Sequence, residues 1–212
     1  MNKSKLYIIA EKYEEEGKID KAYQFYLEAA LSENDADAMY KLGHMYYEGD
    51  YVSQDYDKAG YYFGMAYDND ADGKAWTLIL AGSYWEKRAE ESGDKNALKR
   101  AIDYYQAAAD HGIGYGNECL GKIYYDLGEY DKAYKSLLLM EERNPLGYYY
   151  MGKLYEEGHG VEKNIQTAID YYKKAVEVGS EHEEEYGEDR DTALARARLK
   201  ELKELDGTDS ND

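Results

Sequence analysis

The stretch YYEGDYVSQDYDKAGYYFGMA, residues 46–66, returns without a gap as YEEGHGVEKNIQTAIDYYKKA, residues 155–175. The two agree at Tyr46/Tyr155, Glu48/Glu157, Gly49/Gly158, Val52/Val161, Ala59/Ala168, Tyr62/Tyr171 and Ala66/Ala175. The Lys-Ala portion recurs three more times, as DKAYQFYLEAA (20–30), KRAIDYYQAAA (99–109) and DKAYKSLLLME (131–141). Its alanines are Ala22, Ala59, Ala101, Ala133 and Ala168, separated by 37, 42, 32 and 35 residues. That period belongs to stacked helical hairpins.

A second signature precedes each alanine. KLGHMYYEG, CLGKIYYDLG and YMGKLYEEG align Leu42, Leu120 and Met151, then Gly43, Gly121 and Gly152, then Tyr46, Tyr124 and Tyr155. In LAGSYWEK the same places read Leu80, Ala81 and Tyr84, and near the start of the chain Ile9, Ala10 and Tyr13. The spacing sets an apolar residue and a tyrosine on one helical stripe, with a small residue beside them that admits a neighbouring helix. Gly17, Gly49, Gly128 and Gly158 follow as helix ends. The second helix then buries Ala59, Tyr62/Phe63 and Ala66, a narrow face suited to close contact. Asp20, Asp57 and Asp131 lie near its positive N-terminal end.

Composition agrees with helices throughout. An ordinary chain carries about 5% proline, and this one has the single Pro145 in 212 residues. A lone cysteine, Cys119, makes no intramolecular disulfide and reads as a small buried apolar residue. The N-terminus offers only LYIIA as an apolar run, short of a secretory core or a membrane span, so a cytoplasmic location is expected. Lys and Arg number 26 against 45 Asp and Glu, a formal charge of −19. Such a field disfavours nucleic acid and membrane surfaces as partners and favours cationic ones.

The Leu-Gly, Tyr, Gly-x-Gly-Val and Lys-Ala pattern resembles the Sel1-like repeat (SLR), a relative of the tetratricopeptide repeat. LYEEGHGVEKNIQTAIDYYKKAVEVG carries it most fully, and MYYEGDYVSQDYDKAGYYFGMA has Tyr51 in place of the second glycine. The fourth copy has a tetratricopeptide-like short turn, and the third is lengthened by KRAEESGDKNALK. The resemblance implies an all-α, right-handed superhelical solenoid of helical hairpins. Residues 1–180 are expected to form five repeats, 181–205 an acidic loop and a capping helix, and 206–212 a disordered tail. Ala195, Leu199 and Leu202 give the capping helix one apolar face.

Catalytic and metal readings fare poorly. DNDADG (68–73) opens like a calcium loop, but its twelfth place, where a bidentate Glu is required, is Ile79. His44, His111, His159 and His182 show no metal-ligand spacing, and neither a phosphate loop nor a nucleophile elbow occurs. No metal, cofactor or enzymatic activity is expected.

Among 27 tyrosines against two phenylalanines, Tyr46, Tyr62, Tyr84, Tyr104, Tyr124, Tyr155 and Tyr171 are expected in the core. In the resembled families the first helix of each pair lines a concave groove. Its outward positions here are Tyr7 and Glu11 in the first copy, and Tyr40, His44 and Tyr47 in the second. Trp85 and Glu86 follow in the third, Lys122 and Tyr125 in the fourth, and Tyr149, Lys153 and Glu156 in the fifth. Rings beside carboxylates suit a peptide or protein segment with basic and apolar anchors. A non-catalytic interaction scaffold is the favoured reading. The alternative is an enzyme, or a regulatory domain of one, with a carboxylate site in the groove.

Overall fold

A computed structural model of the chain describes residues 4–49, 51–69, 75–140, 144–181, 183, 187 and 189–206. The described residues form eleven helices and no strand. The chain divides into two compact units, Met1–Ile113 and Gly114–Asp212. Most of DNDADG and the final six residues lie outside the described set, as do His182 and most of the acidic segment before the last helix.

The first unit holds three helix pairs: α1 (Lys5–Glu15) with α2 (Ile19–Ser32), α3 (Ala36–Glu48) with α4 (Tyr56–Asp68), and α5 (Thr77–Ser92) with α6 (Lys95–Asp110). The second holds α7 (Gly114–Asp126) with α8 (Tyr130–Leu137) and α9 (Pro145–Glu157) with α10 (Ile165–Ser180). A last helix, α11 (Arg190–Asp206), packs on α9 and α10.

Local chemistry sets the ends. Asp35, Asp55 and Asn164 cap α3, α4 and α10, each accepting a backbone N–H three residues on at 2.8, 2.9 and 3.0 Å. Gly49 and Gly158 end α3 and α9 with φ of 75° and 74°, a left-handed turn that a side chain would strain. At the start of α11, Asp189 accepts from the N–H groups of Asp191 and Thr192 at 2.9 and 3.0 Å.

Each pair closes on one contact. The five repeat alanines Ala22, Ala59, Ala101, Ala133 and Ala168 are wholly buried, and a large side chain of the second helix lies against a small residue of the first. A Cβ added at Gly43 would stand 2.6 Å from the Phe63 ring, and one at Gly82 or Gly152 would stand 2.5 Å from Tyr105 or Tyr172. At Gly121 the neighbour is Leu137, again at 2.5 Å. In the first pair the fully buried partners are Ala10 and Tyr26.

This contact corrects the frame of the third copy. The small residue there is Gly82, one place beyond Ala81, which is wholly buried in the role of Leu42. Trp85 therefore takes the place of Tyr46 and Tyr155, while Tyr84 faces Tyr61 at 5.7 Å. It also corrects the expected core. Tyr46 and Tyr104 are buried, but Tyr62, Tyr84, Tyr124, Tyr155 and Tyr171 are only partly so. The fully buried rings Tyr26, Tyr105 and Tyr172 were not among those expected.

Replacing Gly152 by Val should destabilise the second unit by about 1–3 kcal/mol, the cost of forcing bulk into a filled contact. Urea unfolding should show a lower midpoint with helix content retained below the transition. Trp85→Ala should cost about 2–3 kcal/mol in the first unit, because its ring is a packing element.

Candidate interaction face of the first helices

In the first, third and fifth hairpins, the first helix meets the large residue of the second helix again four residues beyond the small one. Where that large residue is tyrosine, the first helix supplies a glutamate. Tyr26 donates to Glu14 at 2.6 Å, Tyr105 to Glu86 at 2.7 Å and Tyr172 to Glu156 at 2.8 Å. Where it is Phe63 or Leu137, with no hydroxyl to satisfy, the first helix carries Tyr47 or Tyr125 instead. A buried hydroxyl without an acceptor costs about 1–3 kcal/mol, so the glutamate follows the tyrosine. Glu86 and Glu156 thus satisfy the core rather than face a groove.

A second layer explains the Lys-Ala pair. The basic residue before the buried alanine sits over the ring three places past the small residue. Lys21 lies 5.3 Å from Tyr13, Lys58 4.9 Å from Tyr46, Arg100 4.1 Å from Trp85 and Lys132 5.2 Å from Tyr124. Arg100 also donates to Asp68 at 2.6 Å and to the Tyr104 hydroxyl at 3.2 Å, while Tyr104 donates to Asp68 at 2.8 Å. Burial and then Asp68 push the Tyr104 hydroxyl up to about 12. Trp85 is thereby tied to α6 and is not an open groove residue.

In the first unit three of the remaining expected residues border a cavity of about 540 Å³ between α1 and α3. Tyr7, Tyr40 and His44 line it; Glu11 and Tyr47 do not. Tyr7 is 5% exposed, packs edge-on to Tyr26 at 5.3 Å and presents only a margin to the cavity. Tyr40 and His44 meet edge to face at 4.7 Å, and His44 lies 5.3 Å from Phe63. Tyr47 is held between Trp76 at 5.2 Å and Tyr56 at 5.6 Å. Glu14, Asp37, Lys41, Met45, Glu48 and Tyr51 complete the wall, none of them anticipated as site residues. Their signal in the sequence was weak, because Glu14 looks like one more charge on a solvated helix face.

In the second unit the expected face is largely engaged with the chain itself. Tyr125 is 9% exposed and donates to Glu157. Lys153 sits 4.4 Å from the Tyr125 ring, 5.7 Å from Tyr150 and 5.9 Å from Tyr149. Arg198 of α11 donates from Nε to both oxygens of Glu156 at 2.9 Å. That pairing, with the Tyr172 hydroxyl, holds the Glu156 carboxyl below its ordinary value near 4.5. Asp191, at the start of α11, is pushed the other way by burial and by Asp189, while Arg190 and Lys122 oppose the shift. Cys119 is buried, as expected of a small apolar residue. Among the described residues no group of three or more His, Cys, Asp or Glu could hold a metal ion, and no helix is long and apolar enough to cross a membrane.

Helix pairs repeating one contact define an all-α helical-repeat protein of the solenoid class. A sequence model of the Sel1 repeat matches residues 16–34, 36–70, 89–113 and 145–180, more than half of the chain, and the chain belongs to the Sel1 repeat family. Among solved structures it is similar to a Sel1 repeat protein from Oxalobacter formigenes, at 23% identity over 97% of this chain and 87% of that one, with a TM-score of 0.49. It is also similar to a protective antigen of uropathogenic Escherichia coli displaying an SLR fold, at 20% identity over 93% of this chain and 52% of that one, with a TM-score of 0.40. Sel1 repeat proteins are in general protein-interaction scaffolds and typically not catalysts.

Two pH effects follow. Glu156 is depressed in the fold, so its pairing with Arg198 contributes above pH 4.5 and fades as pH falls through the lower folded value. Glu156→Gln should therefore narrow the stability gap between neutral and acidic pH in denaturant melts. Tyr26 and Tyr172 are raised, by burial first and then by Glu14 and Glu156 respectively. Their contribution is full below pH 10.0 and lost as pH rises beyond it. In an alkaline titration, the last tyrosines should ionise together with the loss of far-ultraviolet circular dichroism.

Proposed function

We propose that this chain is a non-catalytic scaffold that holds a segment of a partner protein, carrying Lys or Arg beside apolar anchors, against the first helices of its hairpins. The observation that carries this reading is the α1–α3 cavity, where Tyr7, Tyr40, His44 and Tyr51 stand among Glu14, Asp37 and Glu48. Aromatic rings anchor a segment at low entropic cost, and carboxylates orient its cations. The overall charge of −19 draws such a partner in from a distance. In this reading the five hairpins of residues 1–180 are the working part, and α11 closes the second unit as a cap, its own Ala195 and Leu202 buried.

A photo-crosslinking amino acid decides the face. Benzoylphenylalanine replaces Tyr51, 44% exposed on the cavity wall, or Tyr61, 38% exposed on the second helix α4. Position 51 should give crosslinked partner peptides rich in Lys or Arg next to apolar residues, and position 61 should not. Crosslinking from position 61 alone would move the interaction to the second helices. With the partner identified, added salt should slow association, since screening acts over about 10 Å at 0.1 M.

A further inference from the structure

The second unit places a cation against tyrosine rings at the surface that corresponds to the α1–α3 cavity. Lys153 follows Gly152 there, and its ammonium lies among Tyr125, Tyr149 and Tyr150. In the first unit the residue after Gly43 is His44, and Tyr40 takes the place of Tyr149. Lys41 does not fill the gap, because it is drawn to Glu14 at 3.2 Å and lies 6.0 Å from the Tyr26 ring. Among the described residues of the cavity wall, three carboxylates, Glu14, Asp37 and Glu48, stand against that one lysine.

We propose that the cavity between α1 and α3 receives a lysine or arginine side chain of the partner, which takes up the role that Lys153 plays within the second unit. The ring faces of Tyr40 and Tyr51 receive the ammonium or guanidinium, and Asp37 and Glu48 balance its charge. The volume of about 540 Å³ exceeds one such side chain and leaves room for its apolar neighbours. Burial, with Glu11, Asp37 and Glu14 adding to it, raises the Tyr7 hydroxyl above its ordinary value. The assignment rests on the scaffold reading above and names the chemistry of one of its contacts.

The test titrates the full chain, isotopically labelled for nuclear magnetic resonance, with Nα-acetyl-arginine amide, Nα-acetyl-lysine amide and the neutral Nα-acetyl-norleucine amide. The two cations should shift the Tyr40, His44 and Tyr51 signals at low salt, and norleucine should not. The double variant Asp37→Asn with Glu48→Gln should bind about tenfold more weakly, as expected for losing two nearby charges in a half-solvated site. Lys153→Met should add a second set of shifts around Tyr125 and Tyr149. Signals outside each site and far-ultraviolet circular dichroism report whether the variants remain folded. Equal shifts with norleucine, or shifts confined to other surfaces, overturn the assignment. Crosslinking that persists from position 51 while neither cation shifts the cavity overturns the cation site alone. Loss of both overturns the scaffold face as well.

Discussion

One contact recurs through the chain: a large side chain of the second helix seated on a residue with little or no side chain on the first. Two helices that approach this closely exclude water from the whole seam, and interior density leaves no slack for an added carbon. Tyr105 on Gly82 and Tyr172 on Gly152 set the depth of the seam, with the alanines Ala101 and Ala168 wholly buried in the same helices. Everything further out is registered by that depth. Glu86 and Glu156 reach the phenolic oxygens because the rings are fixed, and Arg198 reaches Glu156 because Glu156 is held in turn. The fourth hairpin uses Leu137, has the shortest helix among the described residues, and falls in the stretch that the repeat signature does not match.

Charge in this molecule does two different jobs. Part of it is internal. Lys21, Lys58, Arg100 and Lys132 cover rings, and Glu14, Glu86 and Glu156 accept from buried tyrosines. The carboxylates of Asp37 and Glu48 stand instead on the cavity wall of the first unit. The uneven use of equivalent positions, His44 in one hairpin and Lys153 in another, is what lets a repetitive scaffold carry a local specificity.

The helix pairing was legible in the sequence because the buried alanines and the Gly-then-Tyr spacing repeat with the same period. The frame of the third copy was not. Ala81 and Gly82 are adjacent and both small, and only the position of the Tyr105 ring decides between them. The same adjacency hid the deep rings, since Phe25-Tyr26, Tyr104-Tyr105 and Tyr171-Tyr172 are aromatic pairs and the pattern does not say which member turns inward. Of the candidate site, Tyr40 and His44 were legible as outward positions of a first helix. Tyr51 and Glu48 were not, because a loop and a helix end bring them to the cavity. The engagement of Glu156 depends on Arg198, 42 positions away, and no local pattern announces it.

The position of the indoles makes the chain its own reporter. Its two tryptophans are Trp76, the residue preceding α5, and Trp85, within it. Trp76 packs on the cluster of Tyr46, Ala59 and Phe63, and Trp85 on that of Leu78, Ala81 and Tyr104. Both clusters belong to the first unit, and the second contains no indole. Indole emission therefore reads the opening of one hairpin and its neighbours, whereas helix ellipticity averages over every helix. In a stack held by nearest-neighbour contacts the two signals need not move together. Their separation along a denaturant axis measures how far cooperativity extends along the chain.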